Sequence, residues 1–172
     1  MIDEAQYPHE ELLMNGLDGK TILVTGAGGY IAGGLLSYLS NSKYNVIAVT
    51  KKQIQLSKNI IKICEDISQP EFWYDVLNDV DVVVHLAGNT SLKSAEINPV
   101  DSLHSTLSPI LSLIKASQAA KKVPKVIFAS TATVYGPTNL EPQSEVGSIN
   151  PITIYDLHKY FAEQQLLLAS NR

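Results

Sequence analysis

Residues 21–32 read Thr-Ile-Leu-Val-Thr-Gly-Ala-Gly-Gly-Tyr-Ile-Ala, and this stretch decides the fold. Its first five residues are a short apolar run with β-branched members, bounded by Gly26. That is the pattern of a strand buried on both faces. Tyr30 to Ser40 then has helical spacing, with Ile31, Leu35, Leu36 and Leu39 on one side. The turn between them is rich in glycine. Gly26 permits a tight turn, Gly28 and Gly29 let backbone approach a pyrophosphate closely, and Ala32 is small enough for the helix to lie against the strand. A helix start offers free N–H groups and partial positive charge to an anion. A glycine turn without a ligand is the plainer alternative. The strand before it and the helix after it favour a dinucleotide site instead.

The same alternation continues outward. Asn45 to Thr50, Ile60 to Cys64, Asp81 to His85 and Val126 to Ser130 read as further strands. Pro70 to Asn78 reads as a helix whose apolar side is Phe72, Trp73, Val76 and Leu77. A cap residue followed by proline, Asn98-Pro99, predicts a helix running to about Ala120, with Leu103, Leu107, Leu111 and Ile114 recurring along it. A loop covers Gly136 to Pro151, and a last helix starts near Ile152. Strand and helix alternating in this way means βαβ units and a parallel sheet. Right-handed crossovers and a glycine turn after the first strand predict a doubly wound α/β sheet in the order 3-2-1-4-5. Residues 1–18 read as a polar lead-in with a short helix around Glu10 to Met14, and 19–172 as the dinucleotide-binding domain.

Composition narrows the partners. The 172 residues carry a net charge of −4, which does not suit a phosphate backbone, so nucleic acid is not expected as the primary partner. No apolar run approaches the ~20 residues that cross a bilayer. Cys64 is the single cysteine and cannot form an internal disulfide. His9, His85, His104 and His158 show no metal spacing and read as structural or surface residues. A cytoplasmic protein with no leader, no metal, no nucleic acid and no membrane partner is expected.

Several residues carry candidate chemistry. No acid stands at the end of the second strand to hold a ribose 2′-OH. Thr50-Lys51-Lys52 stands there, and lysines suit a 2′-phosphate, so NADP is expected over NAD. Asp66-Ile67 follows the third strand, where a carboxylate can accept from an adenine amino group or simply serve a turn. Leu86-Ala87-Gly88 follows the fourth strand, and small residues there leave room for a ribose or nicotinamide. Tyr155 and Lys159 fall at i and i+4 and share a helix face. A cation beside the phenol, with a positive nicotinamide ring, favours the phenolate, which could then take a proton from an alcohol. Chance also produces that spacing on many helices. Thr131, closing the fifth strand, would share such a proton.

Taken in order, TGAGGYIA, Asp66-Ile67, HLAG (residues 85–88), ASTATVYG (129–136) and YDLHK (155–159) resemble the extended short-chain dehydrogenase/reductase family. Nucleotide-sugar epimerases and dehydratases are the nearest look-alikes. The resemblance runs from about Lys20 to Arg172 and implies an NAD(P)-dependent enzyme that oxidises a sugar carbon transiently. It implies that Gly26, Gly29, Tyr30 and Ile31 form the pyrophosphate turn, that Asp66 and Ile67 meet the adenine, and that Leu86, Ala87 and Gly88 lie beside the ribose. It makes Thr131 the catalytic hydroxyl, Tyr155 the general base and Lys159 its partner on the ribose. The chain departs from the pattern at Ala32, in place of a third glycine, and at Ser105-Thr106, where the family places an asparagine. It also has Pro109 within a helix and is short. It therefore reads as an N-terminal piece lacking a substrate region. Leu166-Leu167-Leu168 reads as a buried helix face or, as the family implies, part of a homodimer contact. The alternatives are another NADP-dependent reductase of the extended family and a non-catalytic dinucleotide-binding module.

Overall fold

A computed structural model of the chain describes residues 19–137 and 142–171. The elements are β1 (Thr21–Thr25), α1 (Tyr30–Leu39), β2 (Asn45–Val49), β3 (Ile60–Ile63), α2 (Pro70–Val76), β4 (Val82–His85), α3 (Leu92–Ile97), α4 (Pro99–Ser117), β5 (Lys125–Phe128) and α5 (Ile154–Ser170). Single 3-10 turns sit at Leu77–Asp79 and Ala132–Tyr135. The five strands form one parallel sheet in the order β3-β2-β1-β4-β5, the doubly wound order expected. The helix expected around Glu10 to Met14 lies outside the described residues.

Strand alternation sends side chains to two cores. Ile22, Val24, Val46 and Ala48 face one way and meet Ala32, Leu36 and Leu39 of α1. Leu23, Val49 and Val83 face the other way and meet Trp73, Leu77 and Leu113. Trp73 is fully buried, and its indole N–H donates to the Ile67 carbonyl at 2.8 Å. This hydrogen bond ties α2 to the loop that follows β3. Register brings Thr25, Val49, Ile63, His85 and Phe128 to the same edge of the sheet. The loops leaving that edge therefore converge, and they carry the candidate site residues.

Four readings of the sequence need correction. Helix α3 falls where no element was expected; it starts at a Ser91 cap that accepts from Ser94 N–H. Asn98 precedes α4 but makes no side-chain cap. Its amide donates instead to Asp101 Oδ2 at 2.8 Å. The buried face of α4 is Ser102, Thr106, Pro109, Ile110, Ser112, Leu113 and Ala116, while Leu103 and Leu111 are exposed. Hydrogen bonds rather than leucines seat much of that face: Ser112 donates to the Ser68 carbonyl at 2.7 Å, and Ser102 Oγ pairs with His158 Nδ1 at 3.0 Å. Finally, Leu167 and Leu168 are 56% and 57% exposed, because no described element packs over the end of α5.

Pro109 does not end α4, which continues through it to Ser117. Helix α5 begins at Ile154 because Thr153 and Asp156 form a reciprocal capping box. Trp73→Ala is expected to cost about 3–5 kcal/mol of stability. Urea unfolding followed by circular dichroism measures it, and a loss below about 1 kcal/mol would contradict the core described.

Candidate active site

The glycine turn is held by contact as well as conformation. Gly26 has φ +67°, and a Cβ there would sit 2.7 Å from the Ala87 nitrogen. The backbone after β1 thus lies directly against the backbone after β4. Thr25, fully buried, secures the junction: its hydroxyl accepts from Ala87 N–H at 3.2 Å and pairs with His85 Nδ1 at 3.0 Å. Gly29 precedes α1 in an extended conformation and supplies no side-chain cap. The first amides of α1 are left for an outside acceptor, and an anionic diphosphate fits that need.

From this turn a groove of about 1030 Å³ runs along the sheet edge. Gly26, Gly28, Gly29, Ile67, Leu86 and Ala87, all named from the sequence, are among its lining residues. Tyr30 and Ile31 are not; their side chains are 99% and 67% exposed, so only their backbone can serve a ligand in the groove. Lys51 and Asp66 both line it, but they bind each other at 2.8 Å. That hydrogen bond from Lys51, together with one from the Ser68 N–H, holds the Asp66 carboxyl at about 2. The stem of Lys52 lies over the turn, with its Cδ 3.1 Å from where a Gly28 Cβ would be.

The groove is also lined by residues the sequence reading missed, Asn89, Ser94, Asp101, His104 and Ser108, together with Ser105, which stands where the family places an asparagine. Their signal was weak because α3 was not recognised and because periodicity does not show which polar residues of α4 border a groove.

Gly88, with φ +151°, also lines the groove, and a Cβ there would sit 3.5 Å from Lys159 Nζ. Lys159 is only 5% exposed. Its ammonium donates to the Ala129 carbonyl at 2.9 Å and lies 4.8 Å from the Phe128 ring centroid. Burial holds its pKa below the usual lysine range, partly offset by Glu163. Tyr155 is half-buried, and burial pushes its phenol up. A hydrogen bond with Thr131 opposes that push, and the Asp156 charge adds to it. In the chain by itself, then, the phenol is held in its protonated form. Near Gly88, Thr106 Oγ1 is buried with no hydrogen-bonding partner among the described residues. His158 is buried on Ser102, as a structural residue. Among the described residues no acid, His or Cys cluster could hold a metal, and no helix is long and apolar enough to cross a membrane.

This geometry can be set beside known proteins. The model of the NAD dependent epimerase/dehydratase family matches residues 22–172. The chain belongs to that family. The UDP-glucose 4-epimerase of Azospirillum brasilense is 31% identical over 153 residues, covering 84% of this chain and 43% of the relative. UDP-glucuronic acid decarboxylase 6 of Arabidopsis thaliana is 30% identical over 158 residues, covering 83% of this chain and 44% of its own length. This member of the family thus spans less than half of either relative. Among solved structures, the Thermotoga maritima UDP-glucose 4-epimerase with UDP-glucose superposes with a TM-score of 0.80 at 27% identity, covering 88% of this chain and 52% of that one. The Bifidobacterium longum UDP-glucose 4-epimerase with NAD+ and UDP gives 0.76 at 28% identity, covering 86% and 48%.

The buried His85 yields a stability prediction. Burial, with some repulsion from Lys159, lowers its pKa from 6.5 to about 3. Between those values the unfolded chain takes up a proton that the folded chain refuses. Stability is therefore full above pH 6.5 and declines as pH falls towards 3. Replacing His85→Gln should flatten the dependence of unfolding free energy on pH across that window. An unchanged slope would mean that His85 does not contribute to it.

Proposed function

We propose that this chain forms the dinucleotide-binding part and supplies the proton-transfer residues of an NAD(P)-dependent enzyme acting on a nucleotide sugar. One observation carries the reading: the groove at the uncapped glycine turn also takes in Gly88, which lies beside the buried Lys159 ammonium. Family membership and relatives named for UDP-sugars support the substrate class.

The residues divide the work along that groove. Amides at the start of α1 bind the diphosphate, and Gly28 and Gly29 leave room for its close approach; the Gly29 N–H itself donates to the Gly26 carbonyl at 2.8 Å. Ile67 and Asp66 border the adenine, and Leu86, Ala87 and Gly88 border the ribose. The nicotinamide, when bound, supplies a hydride acceptor and a positive charge. That charge and Lys159 oppose the effect of burial on Tyr155, bringing the phenol within reach of proton abstraction. Tyr155 takes the proton of a sugar hydroxyl, Thr131 holds the same oxygen, and Lys159 hydrogen-bonds the ribose. Returning the proton and hydride to the other face would epimerise the carbon. The transient ketone also permits dehydration or reduction.

The finer cofactor reading favours NADP. No acid contests the position after β2, and Lys52 lies over the turn. Lys51 is engaged with Asp66, but both partners are largely exposed. Such a pair is worth about 0.2–1 kcal/mol, so a doubly charged 2′-phosphate can recruit Lys51 at small cost. A second reading is a binding module without turnover.

Two measurements test these readings. Titration calorimetry should show NADP binding more tightly than NAD, with the difference shrinking in Lys52→Met. Preference for NAD would reverse the assignment of the lysines. Supplied with dinucleotide and a panel of UDP-sugars, a complete-length version should convert one of them, and Tyr155→Phe should lower kcat by about 10²-fold or more. Dinucleotide binding with no conversion would favour the binding module.

A further inference from the structure

Helix α4 runs unbroken from Pro99 to Ser117 with Pro109 inside it. Proline has no N–H. The carbonyl four residues earlier, that of Ser105, therefore loses the partner that an α-helix otherwise gives it. Proline is also the least favourable residue in a helix interior.

Position decides what that carbonyl meets. Asp101, Ser105, Ser108 and Pro109 fall at i, i+4, i+7 and i+8, one stripe of the helix, and all four line the groove together with His104. A helical carbonyl points along its own stripe towards residue i+4. That of Ser105 therefore points towards Pro109 along the groove wall. The next residue, Thr106, places this turn along the groove. Its Oγ1 lies 3.9 Å from where a Cβ on Gly88 would be, and Lys159 Nζ lies 3.5 Å from the same point. The Ser105 turn thus stands beside Gly88.

The neighbouring polar groups have the same character. The Ser105 hydroxyl donates to the Ser102 carbonyl at 3.1 Å, which leaves it only lone pairs for a ligand. The Asp101 carboxylate, one turn earlier, also only accepts, and Oδ2 already takes the Asn98 amide at 2.8 Å. His104 Nδ1 is paired with Ser108 Oγ at 3.2 Å. A free carbonyl, a hydroxyl whose proton is committed and a carboxylate together attract a donor and disfavour a phosphate.

We propose that Pro109 frees the Ser105 carbonyl to accept a hydrogen bond from a sugar-ring hydroxyl held in the groove beside Gly88. A hydroxyl suits the site because it has a proton to give and no charge for Asp101 to repel. The ribose of a dinucleotide and a nucleotide sugar both offer this chemistry. The inference rests on the reading that the groove takes a dinucleotide, and it adds a contact made by backbone rather than by a side chain.

The test puts the N–H back. Pro109→Ala and Pro109→Val each restore an amide that can close on the Ser105 carbonyl, and valine keeps apolar bulk at the wall. Hydrogen exchange followed by NMR reads the new amide, which should exchange far more slowly than a free one. Exchange at the free rate overturns the proposal and leaves the dinucleotide reading intact. Calorimetry then reads the binding of NADP and, separately, of UDP-glucose. In both variants the dissociation constant of at least one probe should rise about fivefold. Melting temperature should rise at the same time, because proline is the poorest helix former. Weaker NADP binding assigns the hydroxyl to the dinucleotide ribose, and weaker UDP-glucose binding assigns it to the nucleotide sugar. Three results overturn the proposal: affinities unchanged for both probes, affinity weakened in Pro109→Ala but not in Pro109→Val, or affinity and melting temperature falling together. If neither probe binds the unsubstituted chain, the dinucleotide reading falls with it.

Discussion

The contact between the Gly26 backbone and the backbone of Ala87 governs everything at the sheet edge. Two loops from adjacent strands meet with no side chain between them, at a distance a Cβ would make impossible. The Thr25 hydroxyl joins the same loops by taking the Ala87 N–H. Because that junction is tight, the start of α1 and the Leu86 to Gly88 segment keep a fixed separation. A flat, extended ligand can then touch both at once. The site depends on this proximity more than on any charge.

The two ends of the groove differ physically. Where Lys51 and Asp66 line the groove, their ion pair is exposed and screened by water, so it contributes little and is readily rearranged. At the Lys159 end the charges lie in a drier setting, where desolvation competes with every interaction. Burial resists both ionisation of Tyr155 and protonation of Lys159. The chemistry there depends on which partners each proton finds, and for that reason neutral hydroxyls matter as much as charges.

Much of this was legible in the sequence. The central strands carry short apolar runs rich in β-branched residues, and the glycine turn has a strand before it and a helix after it, so the sheet order followed. Ile67, Leu86, Ala87 and Gly88, named from the family resemblance, line one groove because strand ends converge in a parallel sheet. The faces of α4 and α5 were harder. Ser102, Thr106 and Ser112 are buried through hydrogen bonds to distant residues, which periodicity cannot foresee, whereas Leu103, Leu167 and Leu168 look like core and are not. Lys51 and Asp66 were each assigned to a ligand, and their attraction to one another appears only once β2 and β3 are paired. The Asp156 bond to Thr133 joins two motifs 23 residues apart, so neither motif reveals it alone.

The fully buried Trp73 has a consequence for how this protein can be observed. It is the chain's sole indole, and it is anchored to the carbonyl of Ile67, the residue next to Asp66 at one wall of the groove. Emission from that single fluorophore is therefore free of overlapping signals. It comes from a fully buried position bonded to a wall residue of the groove, which gives the fold a built-in optical gauge of that wall.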